Sequence, residues 1–294
     1  MSLTARIWGC RGSVPTPGPA TGHYGGNTPC VELRRGNVVF LLDAGTGIRE
    51  AGIDLQKRNA AELNLHLFFS HTHWDHIQGF PFFQPVYDER VSLTTWDVPE
   101  TTGRVQRLLS GQMHPDYFPV TFGELDAHIE YRTLTPHKQE IADILVSHLP
   151  QPHPGGCSAF AFEADGSKIV YLTDSELDSL LPDVEYTLRH PGERRGLPPA
   201  LVEFVRGADL LIADGQYTDE AYPRHRGWGH PRASTTVDLA IAGEVGELAL
   251  FHHDPMQTDT LLEQKIRASV ARAEGSGVMV YGAREGLERA FGET

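Results

Sequence analysis

The hexapeptide His71-Thr72-His73-Trp74-Asp75-His76 places four potential metal ligands in six residues. Imidazole nitrogens and carboxylate oxygens are the donors that borderline divalent ions such as zinc prefer. The run before it, Leu65-His66-Leu67-Phe68-Phe69-Ser70, is rich in aliphatic and aromatic residues and reads as a buried strand. Four such groups at the mouth of a buried strand are hard to reconcile with a solvated turn and point to a metal or catalytic site. In a sharp loop His71 and His73 can share a face, as residues two apart do. Asp75 and His76 open the next element and point elsewhere. One ion held by all four would require the loop to wrap around it. Two neighbouring ions, one per pair, use the spacing more naturally.

Three further strand ends carry the same residue types: His153, Asp174 and His252. Polar groups at the ends of adjacent strands meet at one sheet edge even when distant in sequence, which is how a site is assembled on a rigid scaffold. His148 competes with His153, but His153 lies in a turn ahead of Gly155-Gly156, where backbone can approach a metal closely. His253 competes with His252. Asp43 follows the apolar run Val38–Leu42; it is either a helix cap or a group that steadies the ligand loop.

Composition narrows the classes. The 294 residues, 40% hydrophobic, allow one large domain or two small ones. No apolar run approaches the ~20 residues needed to span a bilayer, and Met1-Ser2-Leu3-Thr4-Ala5-Arg6 has no charged-then-apolar signal pattern. Cys10, Cys30 and Cys157 are an odd, scattered set without a Cys-x-x-Cys pair, so a disulfide scaffold is not expected and a cytoplasmic protein is. A net charge of −14 repels polyphosphate backbones unless a basic patch compensates. The basic clusters are Arg189-His190 with Arg194-Arg195, and Arg224-His225-Arg226. The balance favours a small substrate over a long nucleic acid.

The elements that must position these groups follow from periodicity and turn residues. Ala5–Trp8 opens as a strand, and Asn27–Leu33 with Val38–Leu42 forms a hairpin about Gly36-Asn37. A helix is expected from Ile48 to Arg58. From Gln84 to His128 the pattern is irregular and reads as an inserted segment that walls a pocket. Strands resume at Ile129–Arg132 and Ile144–His148, followed by a hairpin of Ala159–Glu163 and Lys168–Leu172 about Asp165-Gly166. The Pro-rich stretch Leu181–Pro199 is expected to be a surface insertion. Helix Ala200–Arg206, strand Leu210–Asp214, helix Ser234–Gly243, strand Leu248–Phe251 and a last helix Thr258–Ala273 complete the order. Two sheets flanked by helices fit this order better than an alternating parallel sheet.

These motifs, in this order, resemble the metallo-β-lactamase-fold hydrolases: Asn27-Thr28, Leu42-Asp43-Ala44-Gly45, His71 to His76, His153-Pro154-Gly155-Gly156, Thr173-Asp174, Gly229-His230 and Leu250-Phe251-His252. The resemblance implies an α/β (α+β) fold, a four-layer αββα sandwich of two mixed sheets. It implies one domain over residues 1–294, with insertions near 84–128 and 181–199. It also implies that His71, His73 and His153 hold one divalent ion, that Asp75, His76 and His252 hold another, and that Asp174 bridges them. Zinc is expected, with manganese or iron(II) as alternatives. Gly227-Trp228-Gly229-His230 resembles the branch of tRNA 3′-processing and cyclic-nucleotide phosphodiesterases, although Pro231 and Arg232 stand where serine and threonine often follow. The expected function is a dinuclear metal-dependent phosphodiesterase, in which the metals activate a water between them. Asp75 and His230 are its catalytic candidates, with His230 the proton donor. The partner expected is a small phosphodiester such as a cyclic or short nucleotide, favoured over a long nucleic acid, which is not excluded; no membrane is expected, and a homodimer stays open. A tRNA 3′-endonuclease is the rival, though no basic arm is evident. A lactone or thioester hydrolase and a non-catalytic metal-binding sensor come after it.

Overall fold

Short apolar runs bounded by Gly, Pro and Asp turns build strands here, and apolar stripes at helical spacing cover them. The computed structural model describes residues 1–58 and 63–292. In chain order the first strands are β1 (Leu3–Gly9), β2 (Cys30–Arg35), β3 (Val38–Leu42), β4 (Leu63–Phe68), β5 (Val91–Asp97) and β6 (His128–Thr133). The later ones are β7 (Gln139–Ile141), β8 (Ile144–Gln151), β9 (Cys157–Ala164), β10 (Ser167–Leu172), β11 (Leu210–Asp214), β12 (Glu247–Phe251), β13 (Met279–Gly282) and β14 (Glu288–Phe291). They form two seven-stranded sheets, ordered β14-β1-β2-β3-β4-β5-β6 and β13-β12-β11-β10-β9-β8-β7. Each is mixed: antiparallel hairpins lead into the parallel runs β3 to β6 and β10 to β13.

The helices are α1 (Gly47–Lys57), α2 (Trp74–Ile77), α3 (Arg104–Gln112), α4 (Val184–Arg189), α5 (Pro199–Val205), α6 (Ala233–Ala242) and α7 (Asp259–Ala273). Between the sheets lies an aromatic core in which Phe68 stacks on Trp96 and meets Phe160 and Phe162 edge-on. The other face of the first sheet packs Leu41, Leu67 and Leu93 against Ile48 and Leu55 of α1 and Val105 and Leu109 of α3. The other face of the second sheet packs Val170, Leu211 and Leu248 against Leu201 of α5 and Val237 of α6. The result is four layers, αββα. With both faces covered, central strands such as β11 are buried throughout and read as continuous rather than alternating apolar runs.

Strand direction positions the site. β3 and β4 run parallel, as do β10, β11 and β12. β8 is antiparallel to β9, which is antiparallel to β10, so β8 runs with β10. The carboxyl ends of β8, β10, β11 and β12 therefore lie on one edge. The stretch 84–128, irregular in pattern, contributes the inner strand β5 and helix α3. Its strand is masked because Thr95 is buried where an aliphatic residue would announce it. The pairing of β14 with β1 joins the two ends of the chain and leaves no local mark. No helix among the described residues is long and apolar enough to cross a membrane.

One buried ion pair fixes the start of α6. The Arg232 backbone N and Nε each donate to the Asp178 carboxylate at 2.8 Å, Nη2 donates to Thr187 Oγ1 at 2.7 Å, and Thr235 Oγ1 donates to Asp178 at 2.6 Å. Both charged side chains are wholly buried. Removing Asp178 leaves the buried guanidinium with only the partly exposed Asp219, 3.2 Å from Nη1, and breaking a buried pair in this way costs about 3–5 kcal/mol. Asp178→Ala is therefore expected to lower unfolding free energy in urea by about that amount. The paired Asp178→Leu, Arg232→Met variant should recover much of it; a single variant as stable as the parent would refute this account.

Candidate metal centre

Six strand ends meet at the shared edge. β4 leads into His71, His73, Asp75 and His76; β3 ends at Asp43; β8 leads to His153; β10 to Asp174; β11 ends in Asp214; β12 leads to His252. Asp43, Asp174 and His252 adopt left-handed backbone at φ 61°, 45° and 53°, and Ser13, whose N donates to Asp75 Oδ2 at 2.8 Å, does so at 65°. Such backbone costs on the order of 1 kcal/mol per residue and is retained where surrounding structure enforces a function. Each turn bends a strand end sharply enough to aim its side chain inward.

The donors sort into two sets about Asp174. His153 Nε2 and His73 Nδ1 lie 3.0 Å apart. Asp174 Oδ2 faces His71 Nε2 at 3.6 Å and His153 Nε2 at 3.7 Å. Its other oxygen, Oδ1, faces His76 Nε2 at 3.2 Å and His252 Nε2 at 3.3 Å. Asp75 Oδ2 lies 3.3 Å from His76 Nε2 and 3.2 Å from His252 Nε2. Donor atoms of His71, His73 and His153, of His71, His76 and Asp174, and of Asp75, His76 and His252 each fall within 4.8 Å of one another. A single carboxylate thus turns one oxygen to each set.

The outer ring nitrogens fix which nitrogen points inward. His76 Nδ1 bonds Asp43 Oδ2 at 2.8 Å, His153 Nδ1 bonds Gly229 O at 2.9 Å, and His252 Nδ1 bonds Gln216 Oε1 at 2.9 Å. His71 Nδ1 lies 3.1 Å from Ser70 Oγ. Partners of this kind set the tautomer and orientation of metal-binding imidazoles.

The chemistry of the donors fits divalent ions. His71 Nε2 and His76 Nε2 are buried without a hydrogen-bond partner, which is costly unless something else satisfies them. Burial pushes His71, His73 and His153 below the usual histidine range, so they are neutral donors. Burial pushes Asp75 and Asp174 up, but the neighbouring histidines outweigh it and hold both carboxyls well below their usual range. His76 runs the other way: burial lowers it, while Asp75, Asp174 and Asp43 outweigh burial and raise it. Three neutral imidazoles on one side of Asp174, two further imidazoles on the other and two anionic carboxylates are what two borderline cations would take.

His230 stands beside the cluster. Its ring lies 4.8 Å from that of His252 and 5.4 Å from that of His153. Nδ1 bonds Asp214 Oδ2 at 2.7 Å, leaving Nε2 without a protein partner among the described residues. Burial pulls this imidazolium down, but Asp214 outweighs it and holds the pKa up at about 9. Cationic charge in the cluster would bring it lower, toward the range in which a proton donor works at neutral pH.

His148 lies in β8 opposite Phe160, away from these sets, and His253 bonds Ala283 O at 2.8 Å instead of facing them. Three supporting residues escaped the sequence reading. Asp214 shares the signal that marked Asp174, a carboxylate closing an apolar strand. Gln216 and Glu176 have no such signal. Glu176 accepts from Gly227 N at 2.7 Å and Gly229 N at 3.0 Å, which folds the loop that carries Gly229 and His230. Gly229 itself has φ 92°, and a Cβ there would fall 2.2 Å from His153 Nδ1. Gly229→Ala is expected to keep the circular dichroism spectrum of the parent while displacing His153. Elemental analysis should then find about one equivalent of metal fewer than in the parent. Full metal content in a folded Gly229→Ala protein would contradict the role given to His153.

A family profile described as "Beta-lactamase superfamily domain" matches residues 39–253. A protein named Ribonuclease Z from Thermoplasma acidophilum is 22% identical over 318 residues, covering 96% of this chain and 97% of its own. The metallo-beta-lactamase fold protein YhfI from Bacillus subtilis superposes with a TM-score of 0.71 at 18% identity, covering 99% of this chain and 100% of its own. A diphosphatase of the PhnP family does so at 0.68 and 17%, covering 99% and 98%. With the two-sheet architecture and the His/Asp cluster at its edge, the match across most of the sequence places this chain in the beta-lactamase superfamily, as a metal-dependent hydrolase of the metallo-β-lactamase fold.

Proposed function

We propose that the protein is a dinuclear metal-dependent phosphodiesterase acting on a small phosphodiester such as a short or cyclic nucleotide. The observation that carries this reading is His230, whose Nδ1 is held by Asp214 and lies 3.9 Å from Asp174 Oδ2, with its ring beside those of His153 and His252. A phosphodiester leaves as a poorly stabilised alkoxide and needs a proton, which a positioned histidine supplies. A thiolate leaving from a thioester needs none. His71, His73 and His153 would hold one ion, Asp75, His76 and His252 the other, and Asp174 would serve both. Zinc suits this donor set, as do manganese and iron(II). When bound, such a pair lowers the pKa of water and offsets the charge of a phosphodiester.

The chain's own residues do the rest. Ser13 N and the two histidines keep Asp75 anionic, so it balances cationic charge and does not donate protons. Gly229 O and Gln216 hold His153 and His252 in place. His230 passes its proton from Nε2 to the leaving oxygen, and Asp214 stabilises the charged ring beforehand. Trp74, between His73 and Asp75, and Trp228, two residues before His230, are both exposed, whereas Trp8 and Trp96 are buried. Exposed indole rings suit stacking on nucleobases. The relative named Ribonuclease Z favours a second reading, an RNA-cleaving endonuclease such as a tRNA 3′-processing enzyme. The net charge of −14 weighs against a long polyanion. A cytoplasmic setting belongs to the same proposal.

Two outcomes test it. The zinc- or manganese-loaded protein should hydrolyse bis(p-nitrophenyl) phosphate and a 2′,3′- or 3′,5′-cyclic nucleotide, and lose turnover on chelation. Turnover of a lactone or thioester alone would reject the reading, and cleavage of precursor tRNA alone would select the second. His230→Ala should slow cleavage of an alkyl diester by about 10²–10⁴-fold and that of a p-nitrophenyl ester far less. Equal losses on both substrates would remove the proton-donor role.

A further inference from the structure

Arg104 opens α3 at the rim of the cluster, and the mechanism above does not use it. Its Nη1 donates to Gly155 O at 3.0 Å, in the turn that carries His153. Gly155 and Gly156 both have positive φ, and Gly156 N closes the turn onto His153 O at 2.9 Å. The space over Gly155 lies between two groups: a Cβ built there would sit 3.7 Å from His73 Nε2 and 3.9 Å from Arg104 Nη2. His73 turns Nδ1 toward His153, so its Nε2 is the outward side of the ring. Arg104 therefore approaches His73 from its Nε2 side, not from the side that faces His153.

The guanidinium has no carboxylate within ion-pair distance among the described residues, and Nη1 to Gly155 is its one hydrogen bond to them. Glu100, the acid nearest in sequence, makes no ion pair with it, and Asp97 is engaged in holding the start of α3, accepting from Gly103 N at 2.8 Å and Thr101 Oγ1 at 3.4 Å. In a chain with net charge −14, a guanidinium tethered by one N–H with its remaining donors free is a pre-oriented fork for an oxyanion. Its offset from the cluster suits a neighbouring group better than the scissile phosphate itself.

We infer that Arg104 receives a second, non-scissile phosphate of the substrate, so that the site selects phosphodiesters carrying a further phosphate, such as short phosphorylated oligonucleotides, over singly charged ones. This rests on the phosphodiesterase reading and narrows it. The probes are thymidine 5′-monophosphate and thymidine 3′,5′-bisphosphate, titrated calorimetrically into the zinc-loaded full chain. The parent should bind the bisphosphate at least about tenfold more tightly, the scale of one charge-assisted contact. Arg104→Gln should bring that ratio to within about twofold of unity with zinc content unchanged, and Arg104→Lys should retain part of it.

A parent without preference, or a preference that survives in Arg104→Gln, overturns the inference. So does a loss of zinc in Arg104→Gln, which would mean that the arginine only braces the His153 turn. Turnover of thymidine 5′-(p-nitrophenyl phosphate), with and without a 3′-phosphate, separates the two levels. If the parent cleaves neither, the phosphodiesterase reading fails while the binding ratio still decides the role of Arg104.

Discussion

The buried carboxylate of Asp43 is the interaction on which the site depends. It is sealed from solvent and accepts from Ser70 N and Ser70 Oγ at 2.7 Å each, and from Tyr171 OH and His76 Nδ1 at 2.8 Å each. Ser70 and His76 belong to the ligand loop beyond β4, and Tyr171 lies on β10 in the opposite sheet. An unpaired buried carboxylate costs several kcal/mol, so these four donors are held to one geometry by the penalty for leaving it. The same contact that joins the sheets also fixes the tautomer of His76. Assembly of the sandwich and aiming of the ligand loop are thus one event.

Much of this was legible in the sequence because the ligands sit where apolar runs stop. His71, Asp174 and His252 each follow a strand whose last residues are buried, so hydrophobic patterning and residue type together located them. What the pattern could not carry were groups that act through backbone. Glu176 works by accepting two glycine N–H groups, and Gly229 by offering a carbonyl where no side chain fits. Arg232, at a position where the related branch often has threonine, turned out to be one half of a sealed ion pair. Strand β5 was missed for a different reason. Its Thr94-Thr95 pair reads as polar, yet Thr95 is buried beside Trp96 and donates to the Glu130 carbonyl.

Membership of a superfamily does not decide the reaction, because one scaffold hosts unrelated chemistries. What discriminates is the group placed next to the cations. Here Asp214 holds His230 by Nδ1, which lies 3.9 Å from Asp174 Oδ2, so the proposed proton source stands on that side of the cluster. Asp214 closes β11, the strand between those that end at Asp174 and His252. The residue that steadies the proposed proton donor is therefore supported by the same strand ends as the two ligands, while His230 itself lies on the loop that Glu176 folds.

Exposure across the cluster is uneven, and that sets the direction of approach. His76, His252 and Asp174 are almost fully sealed, as is the His153 ring, whereas His73 is exposed. A substrate reaches the cluster most readily from the exposed His73 side. The same side carries the Gly155 turn with Arg104, and the loop that brings Gly229 to His153 also brings Trp228 and His230. Access, the proposed anion recognition and the proposed proton supply would thus converge on one set of donors. The other set, enclosed by Asp75, His76, His252 and the Asp43 network, serves to hold charge. This division of labour follows from burial alone: where water is excluded, opposite charges attract most strongly, and where the wall is open, a substrate can exchange its hydration for protein contacts.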